Sequence, residues 1–165
     1  MEFGEYVVGR RPALMRFATV LTCRPWLAED IVSDVLGRAF ERWDRISAMA
    51  EPHAYVRRMV VNEYLSWRRR LARTTPRAEV DPESARIGDG ADERARRDAL
   101  ISRLARLPRR QRAAVVLRYY AGLTDAEIAA ELGCRVPTVR SQISRALATL
   151  RLDLAANPHT YQETR

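Results

Sequence analysis

No lysine occurs in this chain: all 29 of its basic residues are arginine, set against 21 acids for a net charge of +8 over 165 residues. Arginine is the better bidentate donor to phosphate and guanine, but codon usage in a G- and C-rich genome explains so complete a bias more simply than a binding device does. Cysteine is nearly absent as well. Cys23 and Cys134 lie far apart and outside any ligand-like cluster, which excludes a disulfide framework and a cysteine zinc site; both are expected to be small buried hydrophobes. The two histidines, His53 and His159, have no companions at metal-ligand spacing, so no metal and no cofactor is expected. The chain also lacks a phosphate-cradling glycine loop, a nucleophile elbow and an evident catalytic carboxylate pair, so no catalytic residue is assigned and nothing points to an enzyme. No apolar run is long enough to span a bilayer, and the charged start MEFGEYVVGRR lacks the order of a signal peptide. A cytoplasmic protein with no membrane partner is the expectation.

What the sequence does contain is helical periodicity in two blocks. Residues 74 to 93 (TTPRAEVDPESARIGDGADE) interrupt every helical period, with Pro76, Pro82, Gly88 and Gly90 among alternating acids and arginines. A stretch this long is near the upper limit of loops inside compact domains. The expected architecture is therefore all-α: two small helical domains, 1–73 and 94–155, joined by a flexible linker over 74–93 and followed by a tail over 156–165. Charge is divided unevenly among them. Residues 94 to 165 hold 14 Arg and 6 acids, residues 1 to 72 hold 12 and 9, and residues 73 to 93 hold 3 and 6, so the basic excess gathers in the second block.

In the first block Phe3, Tyr6 and Val7, then Leu14, Phe17, Ala18 and Leu21 beyond Pro12, recur at helical spacing. After Pro25 a second helix is predicted over about Trp26 to Trp43, with Leu27, Ile31 and Val35 on one stripe and Leu36, Phe40 and Trp43 on an overlapping one. Asp30 and Asp34 share a face four residues apart, with Glu29 and Glu41 extending it; a solvated face and a partner surface would look alike here. A short connection, Ile46 to Glu51, leads to Pro52 and a third helix to about Arg73. There Arg57, Arg58, Arg68, Arg69, Arg70 and Arg73 are interleaved with Tyr55, Asn62, Tyr64 and Trp67. Arginines that grip phosphate beside aromatics that stack bases make a strand-binding surface, and core aromatics beside a solubilising arginine run would give the same pattern.

The second block opens with a helix carrying Leu100, Ile101, Leu104 and Leu107 on one face. Pro108 then introduces Arg109 to Tyr120, which Gly122 ends. The segment LTDAEIAAELGCRVPTVRSQISRAL, Leu123 to Leu147, reads as a helix-turn-helix. Thr124 and Glu127 form a capping box, Gly133 supplies a left-handed helix end, and Pro137 fits the first turn of the next helix. That helix sets Val139, Ile143, Ala146, Leu147 and Leu150 on one face. Thr138, Ser141, Ser144 and Arg145 project from the other, with Arg140 and Gln142 on the flanks. Hydroxyls, an amide and guanidinium forks are the groups that contact phosphates and base edges in the major groove, and the local positive balance suits DNA.

The two blocks together resemble a bacterial RNA polymerase sigma factor of the extracytoplasmic-function group, which keeps the family's second and fourth conserved regions, and more generally its actinobacterial branch. AEDIVSDVLGRAFERW (28–43) resembles the helix that binds the clamp helices of the polymerase largest subunit, and AYVRRMVVNEYLSWRRR (54–70) the helix for promoter melting and the downstream element. LPRRQRAAVVLRYYAGLTDAEIAAELGC (107–134) and TVRSQISRALATLR (138–151) resemble region four. The resemblance implies a protein that binds core polymerase, through clamp helices and flap, and directs it to promoter DNA, duplex and then melted, with an anti-sigma factor as a further candidate partner. Asp30, Asp34, Phe40 and Trp43 would dock on the core. Arg135, Thr138, Arg140, Ser141, Gln142, Ser144 and Arg145 would meet the upstream element. Ser47, Glu51, Arg57, Arg58, Asn62, Trp67, Arg68 and Arg69 would meet the downstream element, where a base is flipped into a pocket formed by about Ser47 to Pro52, and the linker would thread through the polymerase. The family commonly has Ser at the position of Arg135 and Gly at that of Pro137, so the recognition helix here loses a capping hydroxyl, at a cost of about 1 kcal/mol. The rival reading is a dimeric helix-turn-helix regulator that binds duplex DNA without polymerase.

Overall fold

The computed structural model describes residues 1–71 and 91–156, with side chains described over 1–67 and 92–151. Every regular element among the described residues is helical. The chain divides into two compact units, Met1–Glu83 and Ser84–Arg165.

The first unit is built from α1 (Phe3–Thr22), α2 (Pro25–Phe40), the short α3 (Trp43–Ser47) and α4 (Pro52–Leu71). At the start of α1 the Glu5 carboxylate accepts the Glu2 N–H at 3.2 Å. The helix runs through Pro12. Proline removes the donor that the Val8 carbonyl would use, and both residues are exposed, so water can replace it. Cys23 ends α1 in the left-handed region, at φ 57°, and Pro25 occupies the first turn of α2, where a missing N–H costs nothing. Helices α1, α2 and α4 pack pairwise, and α3 packs on α2 and α4. Leu14, Phe17, Leu21, Ile31, Val32, Val35, Ile46, Val56 and Val60 fill the interior. One charged pair enters this core: Arg38 Nη2 donates to the Glu63 carboxylate at 2.6 Å and also meets Asp34 at 3.0 Å. Glu63 is therefore a buried carboxylate neutralised from α2.

The second unit comprises α5 (Ala91–Arg106), α6 (Arg109–Val115), a π-helical turn (Val116–Tyr120), α7 (Asp125–Leu132) and α8 (Val136–Ala156). Helix α5 begins inside the stretch read as linker, because Asp92 and Glu93 sit in its first turn, where acids favour a helix N-terminus. The remainder of that stretch, 74–90, and tail residues 157–165 lie outside the described residues. At the end of α5 the Arg112 guanidinium donates to the carbonyls of Ala105, at 2.9 Å, and Leu107, at 3.2 Å, filling acceptors that a helix terminus leaves open. Helix α8 packs on α5, α6 and α7. The core comprises Leu104, Leu107, Ala113, Val116, Leu117, Ile128, Leu132, Val139, Ile143 and Ala146.

Candidate nucleic-acid interface

The start of α7 is fixed by a reciprocal cap. Glu127 N–H donates to Thr124 Oγ1 at 3.3 Å, while Thr124 N–H donates to the Glu127 carboxylate at 2.7 Å. Gly133, at φ 61°, ends the helix, and α8 starts at Val136 with Pro137 in its first turn. Arg135 precedes α8, and its carbonyl accepts from the N–H groups of Thr138, at 2.9 Å, and Val139, at 3.2 Å. The structure thus has the turn geometry that these residue types predict.

Val139, Ile143 and Ala146 are buried against α6 and α7, whereas Arg135, Thr138, Arg140, Ser144 and Arg145 are exposed and Ser141 and Gln142 half-buried. Arg140 is exposed but engaged. Its Nε donates to Asp125 Oδ2 at 3.0 Å, and the same carboxylate pairs with Arg118 from the π-helical turn. Neither Asp125 nor Arg118 was singled out from the sequence, since fifteen residues separate Asp125 from Arg140 and no local period links them.

On α4, Arg58 and Asn62 are exposed and four residues apart, so they share a face, while Arg57 is half-buried. Trp67 is half-buried too, its ring edge-on to Trp26 of α2 with centroids 6.1 Å apart. Tyr64 is only 1% exposed, so it belongs to the core and is not a stacking surface. Arg68 and Arg69 lie on α4, but their side chains are outside the described residues. The stretch read as a connection before α4 is partly helical: Ser47 closes α3, its hydroxyl donating to the Asp44 carbonyl at 3.3 Å. Glu51 is exposed just before α4, and its carbonyl accepts the Tyr55 N–H at 3.2 Å. Beside it, His53 Nδ1 and the Tyr6 hydroxyl are 3.2 Å apart. Burial pushes the tyrosine up to about 12 against the opposing pull of Arg10. Burial first, then Arg10 and Arg57, hold the imidazole below its ordinary value, with Glu51 opposing. A protonated phenol and a neutral imidazole suit a bond in which O–H donates to Nδ1.

Of the residues proposed to dock on a partner, Asp30, Asp34 and Phe40 are exposed. Trp43 is not. Helix α2 stops at Phe40 and α3 restarts at Trp43, and this break turns the indole inward. It lies 4.7 Å from the Tyr6 ring and 5.2 Å from that of Phe3, and its Nε1–H donates to the Met1 carbonyl at 3.0 Å. Phe40 remains 64% exposed, with Phe3 against one side of its ring. The cysteines also differ from expectation: both are free and half-buried, Cys23 because it serves as the helix end of α1. Among the described residues no group of His, Cys, Asp and Glu could hold a metal, and no helix is long and apolar enough to cross a membrane.

Two helical units, the second carrying a helix-turn-helix with a polar outer face, define a modular DNA-associated protein. Residues 7–74 match the family model for Sigma-70 region 2, and residues 97–150 match that for Sigma-70, region 4. RNA polymerase sigma-E factor of Streptomyces coelicolor is 38% identical over 94% of this chain and 88% of its own length. ECF RNA polymerase sigma factor SigL of Mycobacterium tuberculosis is 31% identical over 86% and 82%. Among solved structures, the sigma factor RpoE from Bartonella quintana, in complex with the anti-sigma factor NepR, is similar at a TM-score of 0.72 and 26% identity, covering 94% of this chain and 98% of that one. CnrH, in complex with the cytosolic domain of CnrY, is similar at a TM-score of 0.63 and 26% identity, over 94% and 88%. The chain belongs to the sigma-70 family, as a sigma factor of the extracytoplasmic-function group. A dimeric regulator would account for the second unit alone, and is not favoured by matches that span both.

Proposed function

We propose a division of labour between the two units. The first docks on core polymerase through the exposed side of α2, Asp30, Asp34 and Phe40, and receives the melted downstream element along Arg57, Arg58 and Asn62 of α4, with Ser47 and Glu51 at the mouth of a pocket for a flipped base. Unstacking that base costs a few kcal/mol, which pocket and phosphate contacts offset. Trp67, Arg68 and Arg69, which follow on the same helix, are assigned to the same downstream contact. The second unit lays α8 in the major groove of the upstream element, with Arg135, Thr138, Arg140, Ser141, Gln142, Ser144 and Arg145 toward the DNA. Catalysis stays with the polymerase, and the protein works in the cytoplasm. An anti-sigma factor is proposed as a further partner, by likeness to the Bartonella protein solved with one.

The observation that carries this reading is the composition of α8: Val139, Ile143 and Ala146 are buried on one side, and hydroxyls and guanidiniums stand on the other, in a chain that matches both sigma regions in order. Run-off transcription with purified core on a genomic promoter library tests it. Specific starts should appear only when the protein is added. Core that initiates no better with it than alone, in a preparation free of any copurified inhibitor, refutes the reading.

A further inference from the structure

Asp125 brings three segments of the second unit onto one carboxylate. It is the first residue of α7, it accepts from Arg140 Nε on α8 at 3.0 Å, and it pairs with Arg118 of the π-helical turn. The exposures are graded: the Asp125 side chain is 25% exposed and that of Arg118 32%, whereas that of Arg140 is 70%. The carboxylate is the least exposed of the three groups, and its backbone is set by the Thr124–Glu127 cap that starts α7. Arg140, the most exposed of the three, bonds to it at Nε, and the end-on pair of terminal nitrogens is a separate edge of the planar guanidinium.

We propose that Asp125 is a positioning residue for base recognition, fixing the Arg140 guanidinium so that its terminal fork reads a guanine edge of the upstream element; the proposal rests on the reading of α8 as the DNA-facing helix. A free arginine loses much rotamer freedom when it makes a bidentate contact, and a fork fixed beforehand loses less. End-on recognition of guanine O6 and N7 needs two parallel N–H groups, which the terminal nitrogens supply while Nε is occupied. The acid does not repel the duplex, because two guanidiniums surround one carboxylate and the cluster stays cationic. Removing the carboxylate then has opposed effects. Attraction to any duplex rises with the added positive charge, while discrimination at one base falls.

The test uses holoenzyme made from the full chain and core polymerase, on promoters randomised across the upstream element, together with binding of the complete protein to unrelated duplex DNA. Asp125→Asn should reduce discrimination by about fivefold or more at one base position, without weakening binding to unrelated duplex. Arg140→Ala should lose discrimination at that same position, and Asp125→Asn added to Arg140→Ala should change base preference no further. Arg118→Met, which leaves the Asp125–Arg140 bond, separates a merely structural role: it should match any loss of melting temperature in Asp125→Asn yet keep base preference. If Arg140→Ala shifts preference and Asp125→Asn does not, the positioning role is overturned and the DNA-facing reading stands. A shift of equal size with and without Arg140, or the same shift in Arg118→Met, overturns it as well. If Arg140→Ala itself leaves preference intact, this residue's place on the reading face fails, and the role of Asp125 with it.

Discussion

His53 sits where the Tyr6 hydroxyl and the charges of Arg10 and Arg57 all bear on one imidazole. Burial and the two arginines disfavour the imidazolium in the native state, so the folded value lies below the ordinary 6.5. Between those two values the unfolded chain binds a proton that the native protein does not, and stability rises with pH. The contribution is complete above 6.5 and is lost as pH falls from there through the folded value. Thermal melting between about pH 7 and pH 5 should show this fall, and His53→Gln should flatten it. An identical profile in the variant would assign the effect to other groups. Arg145, one turn beyond Ser141 on α8, poses a different question. If it makes a bidentate base contact, Arg145→Ala should cost about 1 to 3 kcal/mol at one promoter position. If it holds only phosphate, all promoters should weaken together and the salt slope fall by roughly one. Binding that is unchanged in both respects would remove Arg145 from the interface.

Single elements differ in how openly the sequence announces them. The helix-turn-helix was legible because its rules are local: Thr124 and Glu127 are three residues apart, Gly133 takes a left-handed turn, and Pro137 starts a helix. Gly133→Ala meets open space, so its cost is backbone strain alone, about 1 to 2 kcal/mol, readable by denaturant unfolding; a cost near zero would show that the turn relaxes. The inward turn of Trp43 was not legible. It follows from the end of α2 at Phe40, and no proline or glycine stands between Phe40 and Trp43 to mark that break. Arg38–Glu63 was hidden for another reason: the partners are twenty-five residues apart, and one arginine among 29 carries no mark of its partner. Arg38→Met should destabilise the first unit by about 1 to 3 kcal/mol, since it removes the guanidinium that pairs with a buried carboxylate. Arg38→Met with Glu63→Leu should recover part of that loss, and a double variant no better than the single one would show that the pair itself is not the source.

At the scale of the whole molecule the net charge is +8, yet the exposed side of α2 presents Glu29, Asp30 and Asp34. A basic protein that must also dock on another protein gains specificity by keeping one patch of the opposite sign, because like-charge contacts reject wrong partners. Asp30 and Asp34 are not equivalent tests of that patch. Asp34 meets Arg38, which in turn neutralises Glu63, so reversing Asp34 places two arginines together and disturbs the core pair. Asp30→Arg tests docking more cleanly. If Asp30 faces basic groups on the polymerase clamp, reversal should lower core affinity by about tenfold or more, while melting should change by no more than about 0.5 kcal/mol, as exposed substitutions away from caps usually do. Asp98→Arg, at an exposed position on α5, makes the same change in net charge and serves as the control. Loss of core binding in Asp30→Arg but not in Asp98→Arg would locate the effect on α2. Equal losses would make it a matter of total charge, and normal binding in both would return the α2 carboxylates to an ordinary solvated face.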